Sequence, residues 1–216
     1  MAAGRPRGID DAAILRATVD VIGRVGPVGL TLAAVASEVG LVPGTLVQRF
    51  GSKRGLLLAL AERAAEDADA LLGRVRAEHE SALAALAALI VAPSGSMATP
   101  EMFANHLAFL CIDLTDPQFR AHALAIHQAQ GRAVEALLTE SLLAGDLRPG
   151  TDMAGLVGSV QAVASGAGLV WALDRQGGLE RRLRQELDRV LAPYLRSGDL
   201  RSRDRRPDND DDPEES

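Results

Sequence analysis

Apolar residues recur along almost the whole chain at the spacing of helices, not strands. Ile14, Ala17, Thr18, Val21 and Ile22 make one stripe of a helix over residues 9–25, and Gly26-Pro27 stops it. A short helix over residues 32–39 follows, with Ala33, Ala36 and Val39 on one face and Thr31 placed to cap it. Gly40 falls where a chain leaves a helix in the left-handed region, which glycine adopts at least cost. Pro43 suits the first turn of another helix, because its missing N–H would have no partner there. That helix, residues 44–50, turns Leu46 and Phe50 inward and leaves Thr45, Val47, Gln48 and Arg49 outside. Gly51-Ser52 ends it. A long helix over residues 52–78 then begins with Leu56, Leu57 and Leu60 inward and becomes charged further on.

The rest reads as helices over residues 81–91, 101–113, 116–143, 152–173 and 179–195. Between them lie an interior loop at 92–100, a turn at 145–150 and the Gly177-Gly178 break. Residues 153–173 carry no charge and are long enough to cross a bilayer core of ~30 Å. Gln161, Ser159, Ser165, four glycines and flanks without a positive bias argue against a membrane span. Gly158, Ala162, Ser165, Gly166 and Gly168 let another helix come close. The last helix has a leucine face, with Leu183, Leu187, Val190 and Leu191 at helical spacing. Paired with their copies, these two helices would make a four-helix dimer interface. The same pattern also fits an internal helix of a monomer.

Composition narrows this picture. Hydrophobic residues are 47% of the chain and aromatics only 3%, so the core is built from Leu, Val and Ala, which suits an all-α fold. One cysteine, Cys111, excludes a disulfide framework and fits the cytoplasm. The net charge of −6 is unevenly placed: the last ten residues hold six acids and no base, which leaves the remainder neutral. Residues 1–54 carry seven bases against four acids, so a positive field is expected there. Residues 1–8 read as a basic arm, either a plain flexible terminus or one in which Arg5 and Arg7 reach DNA. Residues 197–216 read as an acidic disordered tail, either solubilising or competing with DNA for the basic head.

The 31–53 segment has the form of a helix-turn-helix, whose second helix is shaped for the major groove of double-stranded DNA. Thr31 and Lys53 sit near helix starts and suit phosphate. Gln48 matches adenine, Arg49 matches guanine or phosphate, and Thr45 and Pro43 suit a thymine methyl. No Gly-rich phosphate loop, nucleophile elbow or His-Glu-x-x-His occurs, so neither an enzyme nor a cofactor is expected. His122 and His127 are five apart, a poor spacing for one metal on a helix, and no metal site is assigned. Residues 101–147 mix Phe103, Phe109, Leu110 and Phe119 with Asn105, His106, Cys111, His127 and Gln128. That mixture describes a small-molecule pocket or an ordinary core equally well. The candidate pocket residues are Phe103, His106, Phe109, Leu110, His127 and Trp171.

Residues 9–58 also resemble the DNA-binding domain of tetracycline-repressor-type (TetR) regulators. The resemblance is carried by Ile14-Leu15-x-Ala17, Gly26, Thr31-Leu32-x-x-Val35-Ala36, Val39-Gly40, Gly44-Thr45-Leu46, Phe50 and Ser52-Lys53-x-x-Leu56-Leu57, with the family's spacing kept without a gap from Thr31 to Lys53. Two positions depart from the pattern. Val47 stands where the family usually has a phosphate-reaching Tyr, and Arg49 where it often has His or Tyr. The resemblance implies a three-helix DNA-binding head over residues 9–55, with Thr31, Pro43, Gly44, Thr45, Val47, Gln48, Arg49 and Lys53 at the DNA. It implies a helical effector-binding and dimerisation domain over residues 56–196. It further implies a homodimeric transcriptional regulator, most often a repressor, that leaves a palindromic operator when a small, largely apolar effector binds. The alternative is a ligand-sensing or protein-binding helical dimer whose DNA head is inactive.

Overall fold

The computed structural model describes residues 9–196, apart from the side chain of Asp69; the expected arm and tail, residues 1–8 and 197–216, lie outside the described residues. Helix α1 spans Asp11–Gly29, and its cap Asp10 accepts from the Ala13 N–H at 2.8 Å. The helix breaks at Gly26, whose φ of +68° is left-handed, and one more turn follows with Pro27 inside it. Helix α2 is Leu32–Glu38, capped by Thr31, whose Oγ1 accepts from the Ala34 N–H at 3.1 Å. Gly40 takes φ +66°, the left-handed exit its position predicts. Helix α3 is Pro43–Phe50 with Pro43 in its first turn, and α4 is Lys53–Glu78. Ile14, Ile22, Leu30, Val35, Ala36, Leu46 and Leu56 are fully buried among α1–α4 and form the core of the amino-terminal head.

The body follows. Helix α5 is Ala82–Val91, α6 is Pro100–Thr115, α7 is Pro117–Ala144, α8 is Met153–Asp174 and α9 is Leu179–Leu191. Side-chain caps start α5 to α8: Ser81, Thr99, Asp116 and Asp152 each accept from the first turn. The core of the body collects leucines, valines and alanines from α5, α7, α8 and α9 around Trp171. Among the described residues there is no strand, only an isolated bridge between Leu147 and Leu195.

Three expectations change. The loop expected at 92–100 contains a 3-10 helix, Ala92–Ser96. The last helix ends at Leu191, not Leu195: Pro193 cannot donate, and the chain folds back on the turn before α8. There the Arg148 N–H donates to the Tyr194 carbonyl at 2.8 Å and the Arg196 N–H to the Asp146 carbonyl at 3.0 Å. Third, α6 was apolar nearly all round in sequence, yet none of its residues is fully buried. It lies over the seam between head and body, against α1, α7 and α8, and leaves Leu110, Ile112 and Leu114 exposed.

The leucine face of α9 also needs correction as a partner surface. Leu183, Leu187 and Leu191 are buried inside their own chain, packed with α5 and α8, and only Val190 of that set is half-exposed. Periodicity locates an apolar face but not the neighbour that covers it. Gly168 is likewise internal, since a Cβ there would lie 2.3 Å from Cε2 of Phe103. Gly158, Ala162 and Ser165 are exposed, Gly166 is half-exposed, and Leu169, Val170 and Leu173 stand out beyond them on α8. Taken singly, α8 is the one helix among the described residues long and apolar enough to cross a membrane; here it packs between α7 and α9.

Candidate nucleic-acid interface and ligand cavity

Helix α3 is fixed from below. Leu46 is fully buried and Phe50 packs on the same core, which turns the opposite face outward. Pro43, Gly44, Val47, Gln48 and Arg49 are exposed there, and Thr45 is half-exposed. Val42, before the helix, is also exposed, which periodicity did not single out. No side chain caps α3; Pro43 has no N–H and the Thr45 N–H donates to the Val42 carbonyl at 3.0 Å, which leaves the Gly44 N–H of the first turn for an outside acceptor. Gly51, at φ +76°, turns the chain sharply into α4. That turn brings the start of α4 so close to α3 that a Cβ on Gly55 would sit 2.0 Å from the Phe50 carbonyl oxygen.

The positive field is more committed than composition suggested. Arg24 pairs with Glu38 at 2.5 Å and ties α1 to α2. Arg49 donates to the Ile9 carbonyl at 2.6 Å and to Asp11 at 3.1 Å, so its charge is shared with an acid of the head. Arg54 pairs with Asp116 at 2.7 Å. Lys53 differs: its Nζ donates to the Pro27 carbonyl at 2.8 Å, a neutral acceptor that leaves its charge uncompensated. Thr31 spends its hydroxyl oxygen on the cap of α2.

The head is joined to the body at two places besides the α4 backbone. At one, Asn105 of α6 donates to the Gly23 carbonyl of α1 at 2.8 Å. Beside it His106 presses Nε2 toward Gly23; that nitrogen is buried without a partner among the described residues. Burial holds the His106 pKa below its usual value, against the opposing pulls of the Ser96 carbonyl and Asp20. At the other, Arg54 grips the corner between α6 and α7 through Asp116 and Gln118 and lies over the ring of Phe119, 5.0 Å from its centroid. The Arg54 hydrogen bond holds the Asp116 carboxyl down to about 2. Phe119 is buried in the head's core, edge-on to Phe109 at 6.5 Å. Sequence gave no hint that the start of α7 belongs to the core of the head.

A cavity of about 150 Å³ opens within the body, between α4, α5, α7, α8 and the start of α9. Two of the six sequence-predicted pocket residues, Phe103 and His127, line it. Gln130, Gln161, Ser94 and Ser165 supply polar groups among Leu71, Leu89, Met97 and Val134. Gln161 donates to the His127 carbonyl at 3.0 Å. The other four stand elsewhere. His106 and Phe109 are at the head–body seam, Leu110 is exposed, and Trp171 lies behind Phe103 with its ring edge-on at 6.3 Å. Trp171 donates its ring N–H to the Gly177 carbonyl at 2.9 Å. Mixed composition marked the right helices, but which side of each faces the cavity depends on how they pack. Among the described residues, no group of three or more His, Cys, Asp or Glu could hold a metal ion.

Residues 14–60 match the family model described as bacterial regulatory proteins, tetR family. Among curated proteins, none matches the chain. Solved structures extend the likeness over the whole fold. A TetR transcription regulator from Haloarcula marismortui shares 17% identity at a TM-score of 0.69, over 86% of this chain and 98% of that one. A protein from Saccharomonospora viridis, solved in complex with choline, shares 18% at 0.67, over 86% and 97%. SmeT, the repressor of the Stenotrophomonas maltophilia multidrug efflux pump SmeDEF, shares 21% at 0.59, over 88% and 93%. At these identities the likeness is one of fold.

Proposed function

We propose that this chain, with a TetR-family helix-turn-helix segment on the all-α fold of TetR-family regulators, is a dimeric, ligand-released transcriptional repressor acting in the cytoplasm. The observation that carries the reading is the geometry of α3. Its inner side is anchored by Leu46, its outer side offers Pro43, Gly44, Val47 and Gln48, and Lys53 stands next to it with an uncompensated charge. Gln48 reads a base edge, Lys53 and the uncapped start of α3 hold phosphates, and Val47 adds apolar contact. Arg49 contributes a phosphate contact only by sharing its charge with Asp11.

The exposed α8 face supports a homodimer. Small residues at 158, 162, 165 and 166 continue into Leu169, Val170 and Leu173, the last 77% exposed, and a second copy would bury them all. Two copies of α3 then read the two halves of an inverted repeat. The body cavity supports an effector site, and ligand-bound relatives of the same fold support it further. Leu71 of α4 and His127, Gln130 and Val134 of α7 line the cavity. The far ends of these helices hold Lys53, Arg54 and Phe119 in the head. An occupant that shifts α4 against α7 therefore re-aims α3.

Selection of duplexes from a random library tests the reading. The protein should recover an inverted repeat. Gln48→Ala should cost about 1–3 kcal/mol per half-site and relax one position of each. Lys53→Gln keeps a donor for Pro27 but removes the charge; it should weaken all sequences alike and lower the salt slope by about two, one for each protomer of the dimer. No enrichment over bulk DNA at low salt would put the ligand sensor with an inactive head first.

A further inference from the structure

A second, larger cleft of about 640 Å³ lies between α1, α4, the 3-10 helix and the middle of α7. Its walls are apolar at Leu15, Val19, Leu60 and Ile126, and its charged side chains are Arg16, Arg63, Arg74 and Asp67. Arg63 is matched by Asp67 at 3.1 Å, with Glu66 at 3.9 Å. Arg16 and Arg74 have no hydrogen bond or ion pair among the described residues. An apolar cleft therefore carries two uncommitted guanidinium groups, one on the head and one on α4. Leu71, Pro93 and Gln130 border both this cleft and the body cavity and form the partition between them. Leu71 is half-buried and Gln130 exposed, and both side chains have other rotamers open to them.

We propose that the effector is an amphipathic carboxylate, its head held by Arg16 and Arg74 and its apolar body passing the partition toward Phe103. The inference rests on the ligand-responsive reading above and names the ligand class. A guanidinium pairs two N–H groups with a carboxylate, which a neutral headgroup cannot match and a cationic one opposes. The apolar walls favour an aliphatic or aromatic body. A head that engages both arginines bridges α1 to α4, so its binding free energy acts on the orientation of the DNA-reading unit.

Trp171 is the only tryptophan, lies buried, and stands edge-on to Phe103 at the cavity wall, so its fluorescence reports occupancy. The full chain is titrated with decanoate, decanol and decyltrimethylammonium, each below self-association, with calorimetry alongside. Decanoate should bind at least tenfold tighter than decanol, with the cation weakest. Added salt should weaken decanoate alone. In the double variant R16Q/R74Q, both sites being exposed, the preference for decanoate should vanish while decanol binding holds. Equal binding of decanoate and decanol, no salt dependence, or binding of none of the three overturns the proposal. The salt series needs no variant, so misfolding of R16Q/R74Q leaves the test intact. Duplex selection without ligand separates the two readings: a recovered operator with no carboxylate preference overturns only the ligand class, and carboxylate binding without an operator overturns only the DNA reading.

Discussion

Phe119→Ala should split the molecule's unfolding in two. Phe119 belongs to α7 by chain but to the head's core by contact, and it is 5% exposed. Truncating a buried Phe to Ala costs about 3–5 kcal/mol. Loss of the edge-on contact with Phe109 falls within that figure, while the seam between α4 and α7 can partly close. About 3 kcal/mol is therefore expected. For a separately melting unit of the head's size each kcal/mol moves the midpoint by about 4–8 °C, so the head should melt roughly 12–24 °C lower. The cost falls on the head, because the core of the body, around Trp171 and the α5–α9 leucines, does not include Phe119. Helix content by circular dichroism and Trp171 fluorescence should thus coincide in the parent protein and separate in the variant, with dichroism falling first. Phe119→Leu, which keeps most of the volume, should show a third or less of the shift. A loss under about 1 kcal/mol, or two probes that still coincide, would show that Phe119 does not couple the modules and would refute the reasoning.

Two glycines of α4 should respond oppositely. Gly55→Ala drives a Cβ into the Phe50 carbonyl and should cost about 3 kcal/mol, whereas Gly73, with nothing within 4 Å, should gain up to about 1 kcal/mol as Ala; urea denaturation of both variants at one protein concentration checks the pair. Asp113 and Asp116 should give opposite pH dependences. Burial and the neighbouring Asp116 charge push the Asp113 carboxyl up to about 6, so the folded protein prefers it protonated. Stability contributed by Asp113 then falls as pH rises from about 4 to about 6. Asp113→Asn should match the parent near pH 4 and exceed it above pH 6 by on the order of 1 kcal/mol after solvent screening. Asp116 is held at about 2 by Arg54, so its contribution is complete above about pH 4 and is lost only as pH falls toward 2. Thermal melts across pH 3 to 8 of Asp113→Asn and Arg54→Gln check both signs; an Asp113→Asn gap that widens toward low pH would contradict the first.

Local chemistry decided a good deal of this protein in sequence. Thr31, Gly40, Pro43 and Ser52 set where α2, α3 and α4 start and stop, because caps, left-handed exits and a missing N–H act within one turn of the chain. The 3.6-residue period separated Leu46 from Gln48, and so the inner from the outer side of the helix that faces DNA in the proposed function. What depends on distant segments was decided only by the fold. The leucines of α9 look the same in sequence whether a second copy or α8 of the same chain covers them, and it is α8. Phe119 lies more than sixty residues after α3 yet completes the core of the head. His106 and Trp171 sit on helices that border the cavity but point away from it, since helix rotation is set by packing. Arg16 and Arg74 are ordinary surface arginines in the sequence. They share one cleft only because α1 crosses α4, and charge acts through space, not along the chain.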